Sequence, residues 1–399
     1  MERTRDGIPG RGLYTEAARK QRLEWLRGHT SAALPSLDVT GLDARALTGN
    51  VENFAGSVEV PVGLAGPLLF TGDAARGSVV APLATTEGAL VASASRGARA
   101  ITAGGGVTTK VLSQRMTRAP AFEFADIAAA ARFTDWLLAH RSDLEEQVRL
   151  TSRYARLAGV DPYQIGRYLH VRFVFETVDA AGQNMTTAAT WQICRWVQDT
   201  LAGEDGLRPV WTLLEGNLSS DKKASVAAML TGRGNRVTAD CRIPAGVVES
   251  VLKTTPAAMV KGHGTFVLGG QQIGMVGSGL NAVNIVAGLF TATGQDIACV
   301  HESGVSILSM EVDGGDLIAT MLLPSLVTGT VGGGTSLPHQ REWLTALGCA
   351  GPGGGPRFAE IVAGFALALD LSTTAAFVSG QFADAHQRLG RPPRTASSS

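Results

Sequence analysis

The sequence lacks most features that would assign it to a secreted, metal-binding or nucleic-acid-binding class. Its 399 residues include only four cysteines, which are widely spaced and form no CxxC pair. A disulfide framework or a zinc site is therefore not expected, and a reducing compartment is the default. Lysine plus arginine and aspartate plus glutamate both number 35. Because these charges cancel, any anion site must be local, and no net field recruits nucleic acid or an anionic membrane.

Targeting and membrane-spanning patterns are also scarce. The opening stretch, MERTRDGIPGRG, has no apolar core of a secretory signal. The longest apolar stretch, residues 361–382, carries Asp370 and a Ser-Thr-Thr run, which favours a packed helix over a membrane span. No GxGxxG fingerprint follows a predicted strand, so a Rossmann domain is not supported. We therefore expect a cytoplasmic protein without a Rossmann fold.

What the sequence does contain is typical of a globular enzyme. Apolar residues make up 45% and glycine occurs 49 times, and the length allows two or three domains. Residues 1–44 are predicted to form a polar helical lead-in, with a helix over residues 14–26. Another helix is expected to begin near Thr85 and Glu87 and to stop at residues 104–106, because threonine caps helices and an early glutamate suits the positive N-terminus.

The pattern changes near Pro120. Residues 127–148 have helical periodicity, and apolar residues alternate with polar ones over residues 169–176, which predicts a half-buried strand. A turn over residues 179–185 and a helix through WQICRWVQDTL follow. This order predicts a small α+β domain inserted into a larger one. From Leu213 onward we expect long apolar helices to dominate.

Several polar residues stand out, although most have an ordinary structural explanation when taken alone. Glu87 could simply interact with the positive N-terminus of a helix. Lys222 could be a solvated surface lysine, and His386 an ordinary surface histidine. Asp296 is more unusual, because it falls in an apolar stretch predicted to be helical, where a charge must be paired or functional. The glycine run over residues 329–335 is a weak signal by itself.

Longer motifs occur in a distinctive order along the chain. They are ENFAGSVEVPVGLAGPL, APLATTEGALVASASRGARAI, SSDKK, GQD and PSLVTGTVGGGT, followed by His386. In order and approximate spacing, over about residues 50–390, they resemble the class I 3-hydroxy-3-methylglutaryl-CoA (HMG-CoA) reductases. The resemblance implies an α+β fold, with a small ferredoxin-like α+β cofactor domain inserted into a large, mostly helical domain. The implied ranges are 1–44 for an N-terminal helical segment, 45–119 and 213–390 for the large catalytic and CoA-binding domain, 120–212 for the small NADP-binding domain, and 391–399 for a disordered tail.

The resemblance also implies an activity, the NADPH-dependent reduction of HMG-CoA to mevalonate in isoprenoid biosynthesis, with Glu87, Lys222, Asp296 and His386 as catalytic residues. Reducing a thioester to an alcohol takes two hydrides and passes through a hemithioacetal and an aldehyde. A buried Lys222 ammonium group is suited to stabilise the negative charge that forms on the carbonyl oxygen. Glu87 can donate a proton if a neighbour such as Asp296 raises its pKa. His386 suits protonation of the departing CoA thiolate.

Binding residues follow from the same resemblance. Arg153 beside Ser152 matches the contact to the 2′-phosphate, for which the planar donor fork of arginine is suited, and this favours NADPH over NADH. The remaining dinucleotide contacts match Asp179, Gly182, Asn184, Met185, Gly332, Gly333 and Gly334. The CoA contacts match Ser93, Arg96, Arg99 and Lys253. A homodimer or a higher homo-oligomer with shared active sites is implied, because the family places the cofactor, the ENxxG segment and the catalytic residues on different subunits.

The end of the pocket that would hold the acyl group departs from the family pattern. Arg118 and Lys223 match carboxylate contacts and Asp221 a substrate-binding position, but Glu215 replaces a serine. A lysine that pairs with the HMG carboxylate has no clear counterpart, and Asn281 replaces a histidine near the CoA thiol. Glu215 is expected to repel the HMG carboxylate or to pair with Arg118. Three functions stay open: reduction of HMG-CoA, reduction of another acyl thioester on CoA or a carrier protein, and non-catalytic binding of acyl-CoA.

Overall fold

A computed structural model describes residues 7–380, and these form an α+β fold of helices and antiparallel sheets. The helices are α1 Glu16–Thr30, α2 Leu90–Ala103, α3 Ile127–Ala139, α4 Arg141–Thr151, α5 Gln183–Thr200, α6 Val226–Thr231, α7 Ala245–Val247, α8 Pro256–Gln272, α9 Ala282–Thr293, α10 Val300–Ser303, α11 Pro338–Ala346 and α12 Gly354–Val378. The strands are β1 Val62–Thr71, β2 Arg76–Ala84, β3 Thr108–Arg118, β4 Ala121–Glu123, β5 Arg156–Ile165, β6 Tyr168–Glu176, β7 Trp211–Leu213, β8 Gly234–Ile243, β9 Ile307–Asp313 and β10 Asp316–Leu326. His386 and the tail predicted over residues 391–399 lie outside the described residues.

The strands form one short hairpin and one large sheet. Strands β1 and β2 pair with each other, and the large sheet has the order β7-β4-β6-β3-β8-β10-β9, with β5 against β6. Residues 108–115 of β3 pair with β8, and residues 116–118 pair with β6. All of these pairings are antiparallel. The large sheet is therefore continuous from β7 to β9, with β3 in its middle.

Helix α12 lies at the centre of the larger apolar core. It is long and apolar enough to cross a membrane by length and composition, yet 89% of its most apolar window is buried in the protein. Gly97 of α2 lets the two helices touch, because a Cβ atom there would lie 1.8 Å from the carbonyl oxygen of Ala368. As the apolar stretch predicted, this segment is a packed core helix.

A second apolar core contains residues from Phe122 to Leu201 only. Helices α3, α4 and α5 cover strands β4, β5 and β6, and the ring of Phe133 lies 5.3 Å from that of Phe122 and 4.9 Å from that of Phe124, measured between centroids. The strand predicted over residues 169–176 is β6. The helix predicted over residues 127–148 is instead two helices, α3 and α4, which meet at His140.

Two predicted helix boundaries near candidate residues are wrong. Helix α2 begins at Leu90, after Ala89 adopts a left-handed conformation with φ of 73°, so Glu87 lies in the connection that precedes it. Helix α9 ends at Thr293, because Gly294 takes φ of 72° and caps it. Asp296 consequently does not lie inside an apolar helix. It begins the short 3-10 turn that follows.

The expectation of long apolar helices after Leu213 is confirmed by α8, α9 and α12, but it left out three strands. Strands β8, β9 and β10 all lie in this region and supply one half of the large sheet. In β8 the buried apolar residues Val237, Ala239, Cys241 and Ile243 alternate with more exposed polar ones, which is the period of a strand. The glycine-rich and alanine-rich helices on either side of this short alternation hide it in the sequence.

Candidate active site

Lys222 and Asp296 form an ion pair, with the Nζ–Oδ2 distance at 2.9 Å. Burial alone would raise the pKa of Asp296, but the hydrogen bond and the charge of Lys222 outweigh burial, so the pKa lies below its ordinary value. The hydrogen bond to Asp296 in turn raises the pKa of Lys222. Both groups are thus charged at neutral pH. The Lys222 side chain is 41% exposed in the single chain, so it is not the buried ammonium that was expected.

Two fully buried charges lie behind this pair, and the motifs did not identify them. Arg233 and Glu302 form an ion pair in which both side chains are 0% exposed, with Nη2 and Oε1 separated by 2.7 Å. The same Oε1 accepts the backbone N–H of Lys222 at 3.0 Å. Two sequence features accompany the pair, although neither indicates that these two residues are partners. Glycines flank Arg233 on both sides, and Glu302 is a carboxylate close after the apolar residues 297–300.

The side-chain amide of Gln183 connects Arg233 with Asp296. Its nitrogen donates to Asp296 Oδ2 at 3.2 Å, and its oxygen accepts from Arg233 Nη2 at 3.1 Å. This amide orientation follows from the neighbours, because in the opposite one the oxygen would face only acceptors and the nitrogen only donors. Gln183 is the first residue of α5, so the N-terminus of that helix reaches the Lys222–Asp296 pair.

Glu87 lies in a different hydrogen-bond environment from the one expected. Its Oε2 accepts from the side-chain amide of Asn284 at 3.0 Å. Among the hydrogen bonds and ion pairs described for residues 7–380, none joins Glu87 to Asp296, whose carboxylate faces Lys222 and Gln183 instead. The structure therefore brings together Lys222 and Asp296 of the predicted catalytic group, and it gives Glu87 a separate partner. The role of His386 stays a prediction.

Arg118 is held between two carboxylates. Its Nη1 lies 3.2 Å from Glu215 Oε2 and 3.0 Å from Asp221 Oδ2, and only 9% of its side chain is exposed. Of the two outcomes predicted for Glu215, repulsion of a substrate carboxylate or pairing with Arg118, the structure has the pairing. Lys223 Nζ donates to the carbonyl oxygen of Asp221 at 2.8 Å. Every cation predicted at the acyl end thus has a partner within the chain.

A cavity of about 670 Å³ opens beside the Lys222–Asp296 pair. Its wall includes Asp296, the ENxxG residue Phe54 of the same chain, the first residues of α5 and the 329–334 glycine loop. The predicted dinucleotide contacts found in this wall are Gly182, Asn184, Met185, Gly332, Gly333 and Gly334. No atom lies within 4 Å of where a Cβ would stand at Gly332 or Gly333, so the bare backbone faces open space.

The shape and charge of this cavity suit a phosphate-bearing ligand. The N-terminus of an 18-residue helix, α5, points its free backbone N–H groups and positive dipole end at the cavity. Asp179 does not belong to the wall. Its two carboxylate oxygens accept the backbone N–H groups of Gly353 and Gly355, at 2.9 and 3.0 Å, and so cap α12. A role of Asp179 in cofactor binding stays a prediction.

A second, basic cavity of about 530 Å³ lies at the end of α4. Ser152 and three arginines line it, and Arg149 pairs with Glu146 at 3.3 Å. Arg153 and Arg156 have no ion pair within the described chain. Their guanidinium groups are therefore available to an anion such as a phosphate monoester.

The residues predicted to contact CoA divide into two groups. Ser93 and Arg96 are half-buried and both bind the hydroxyl of Ser372 in α12, at 2.9 Å each, and burial lowers the pKa of Arg96. Arg99 and Lys253 are exposed. The first group therefore anchors α2 to α12, whereas the second group is free to meet a solvent-borne anion.

Known proteins match this chain along nearly all of its length. The family model described as hydroxymethylglutaryl-coenzyme A reductase matches residues 18–391. The chain is 43% identical over 387 residues to the 3-hydroxy-3-methylglutaryl-coenzyme A reductase of Aeropyrum pernix, covering 95% of this chain and 91% of that one. It is 40% identical over 382 residues to the enzyme of the same name from Haloferax volcanii, covering 94% and 93%.

A solved structure has the same fold. The class II 3-hydroxy-3-methylglutaryl-CoA reductase of Streptococcus pneumoniae, bound to NADPH in open conformations, superimposes with a TM-score of 0.66 at 18% identity and covers 90% of this chain and 97% of that one. This similarity establishes the fold alone. Because the family model spans most of the chain and relatives above 30% identity align along almost all of it, the chain belongs to the hydroxymethylglutaryl-coenzyme A reductase family.

Proposed function

We propose that the protein reduces HMG-CoA to mevalonate with two molecules of NADPH. The overall change is one thioester, two NADPH and two protons to one primary alcohol, free CoA and two NADP⁺. The observation that supports this most directly is the Lys222–Asp296 ion pair at the wall of a glycine-lined cavity. The names of the archaeal relatives point to the same reaction.

NADPH fits the residues present. It supplies a hydride for each of the two reduction steps, and the NADPH-bound Streptococcus pneumoniae relative supports this choice of cofactor. The N-terminus of α5 and the 329–334 loop would hold the pyrophosphate in the larger cavity, and Ser152 and Arg153 would hold the 2′-phosphate in the basic cavity. The assignment of this chain to class I within the family is part of the same proposal.

Lys222 is the group that stabilises the negative charge developing on the carbonyl oxygen of the substrate. Each hydride delivery leaves negative charge there, and a positioned ammonium stabilises that charge most in the transition state. Asp296 keeps Lys222 protonated, since the ion pair raises the pKa of the lysine. Glu87, held by Asn284, is the proposed proton donor to the oxygen. His386 is the proposed proton donor to the CoA thiolate.

The test is NADPH oxidation by the purified protein with HMG-CoA as substrate, followed by quantification of mevalonate. We expect two NADPH consumed for each mevalonate formed. Lys222→Ala is expected to lower kcat by at least about a hundredfold, the size of effect seen when an oxyanion-stabilising donor is removed. Lys110→Ala is the matched control, because it also removes an exposed lysine–aspartate pair, with Asp73 at 3.1 Å. Mevalonate formation by Lys222→Ala at the rate of the control would contradict the proposal.

A second candidate function is reduction of a thioester whose acyl group has no distal carboxylate. The observation that favours it is the Glu215–Arg118 ion pair, which occupies a cation predicted to bind that carboxylate. Comparing kcat/KM for HMG-CoA with that for neutral acyl-CoA thioesters distinguishes the two candidates. The higher value identifies the acyl group that the site accepts.

The remaining proposals concern organisation. We propose that residues 120–212 form a ferredoxin-like NADP-binding domain inserted into the catalytic domain. In support of this, the second apolar core draws all its residues from this range.

We also propose a cytoplasmic homodimer. Helix α6, which follows the Lys222 loop, exposes Val226 and Leu230, at 76% and 81%, and these lie on one face four residues apart. An unpartnered apolar face next to the site supports a subunit contact there.

A further inference from the structure

We propose that Arg233 and Glu302 are positioning residues that fix the ammonium group of Lys222 for the reaction. The inference rests on the proposed function for its kinetic consequence, but its structural consequence is measurable without any substrate. Neither residue touches the large cavity. They act through Lys222, Asp221 and Gln183.

The contacts form a closed ring. Glu302 Oε1 accepts the backbone N–H of Lys222 at 3.0 Å, and both carboxylate oxygens accept from Arg233, with Nε 2.8 Å from Oε2. Arg233 Nη2 donates to the Gln183 amide, and that amide donates to Asp296. Asp296 closes the ring on the ammonium group of Lys222 at 2.9 Å. Lys222 is therefore held at both ends, by its backbone and by its side chain.

The ring is needed because the Lys222 backbone has an unfavourable conformation. Lys222 has φ of 57°, in the left-handed region that residues other than glycine adopt rarely. Such a conformation persists when surrounding contacts enforce it. Two contacts do so here. Glu302 binds the Lys222 amide, and Arg233 also binds the carboxylate of the preceding residue, Asp221.

One short stretch of chain supplies both partners of Lys222. Asp296 and Glu302 are six residues apart, separated by a 3-10 turn and the first residues of α10. A shift of Glu302 would therefore move the amide of Lys222 relative to the carboxylate that holds its ammonium group. Burial raises the pKa of Glu302 above its ordinary value, and the hydrogen bonds and charge of Arg233 act against that rise. Arg233 therefore favours the charged carboxylate, which is the better acceptor for the Lys222 amide.

This arrangement predicts a specific kinetic effect. An ammonium displaced by about 1 Å from a reacting oxygen can lower the rate about a hundredfold. The binding of the cofactor, which involves other residues, is expected to change little. Loss of the ring should therefore lower kcat far more than it raises the KM for NADPH.

The principal test is the double variant Arg233→Met with Glu302→Leu. A buried ion pair replaced by apolar side chains of similar size usually leaves stability unchanged or higher, so the fold should survive. We expect kcat to fall about a hundredfold, with the KM for NADPH within about threefold of the unsubstituted protein. Arg242→Met is the matched control, since Arg242 lies near the far end of β8, the strand that Arg233 directly precedes, and its ion pairs with Asp313 and Asp316 are largely exposed. A folded double variant with the kcat of the control overturns the proposal.

A second measurement needs no activity. The chain contains six lysines, so selective ¹⁵N-lysine labelling gives an NMR spectrum simple enough to assign by substitution. We expect the Lys222 amide signal to shift and to lose protection from solvent exchange in Glu302→Gln, which preserves the shape of the side chain. This single variant also decides the matter if the double variant does not fold. An unchanged Lys222 signal overturns the inference, whereas failure of the unsubstituted protein to reduce HMG-CoA overturns only the proposed function.

Discussion

Glu215 occupies one face of Arg118, with Oε2 at 3.2 Å from Nη1, in a setting where only 9% of the arginine side chain is exposed. An arginine so enclosed is a strong carboxylate site, because its desolvated donors need an anion. In this chain the carboxylate of Glu215, a residue of the protein itself, provides that anion. A substrate carboxylate that approaches Arg118 must therefore displace Glu215 or accept a second negative charge beside it.

Glu215→Ser is expected to raise kcat/KM for HMG-CoA by about tenfold while leaving that for neutral acyl-CoA thioesters unchanged. The reason is that a competing charge worth about 1.4 kcal/mol corresponds to a tenfold change in affinity. Glu215→Gln, which removes the charge and keeps the size, should behave alike. The measurement is steady-state kinetics with both substrates. If the ratio of the two kcat/KM values does not move, Glu215 does not control acyl specificity.

Arg153→Ala is expected to raise the KM for NADPH by at least about tenfold and to leave that for NADH within twofold. Only NADPH carries the 2′-phosphate, and a charge-assisted bidentate contact to a phosphate is among the stronger hydrogen bonds in proteins. Arg149→Ala is the control, because Arg149 lines the same cavity but is paired with Glu146. A preference of the unsubstituted enzyme for NADH would refute the assignment.

Leu230→Glu is expected to convert a dimer into a monomer and to abolish most activity. A charge placed in an apolar contact must be desolvated without a partner, which costs several kcal/mol. Leu268→Glu is the control on α8, where the residue is also exposed, at 64%. Sedimentation velocity gives the mass of each variant. A monomeric mass for the fully active, unsubstituted protein would rule out the proposed dimer.

Asp370 is expected to make the protein less stable as pH rises from about 4 to about 6. Its carboxylate is fully buried and accepts the backbone N–H groups of Leu280 and Asn281, and burial raises its pKa from 3.8 to about 6. Between these values the folded protein binds more protons than the unfolded chain. The free energy of unfolding therefore decreases with pH, by about 3 kcal/mol in all.

The measurement for Asp370 is denaturant unfolding at several pH values between 4 and 7, in the unsubstituted protein and in Asp370→Asn. The other carboxyl groups titrate in both proteins, so the difference between the two curves isolates Asp370. We expect that difference to change steeply up to about pH 6 and to be flat above it. If the difference in the free energy of unfolding between the two proteins does not change with pH, Asp370 does not titrate in this range.

The sequence predicted the elements whose pattern is local. The strand at residues 169–176, the buried helix around Asp370 and the glycine loop at residues 329–335 all depend on periodicity or composition over a few residues. The motif order placed Lys222 and Asp296 in one predicted group, and the two side chains do lie together in the structure. The predicted start of α2 near Glu87 was wrong because the N-cap is Ala89 in a left-handed conformation, which no propensity rule favours.

The parts of the site that were missed depend on distant segments. Arg233 and Glu302 are 69 residues apart, and the glycines beside Arg233 became informative only once the ion pair was known. The hydrogen-bond partner of Glu87, Asn284, was likewise not foreseen, since it lies 197 residues away. Long-range side-chain pairs of this kind leave no periodic trace in a single sequence. They become visible only after the chain has folded.

Strand β3 belongs to both halves of the large sheet, and this restricts how the molecule can move. Its residues 108–115 are hydrogen-bonded to β8, and its residues 116–118 to β6. The smaller core therefore cannot rotate about a flexible linker without breaking hydrogen bonds between β3 and these strands. Relative motion of the two halves would instead have to twist β3, whose pairing passes from β8 to β6 between residues 115 and 116. Since Arg118 ends β3, such a twist would turn Arg118 and the smaller core together.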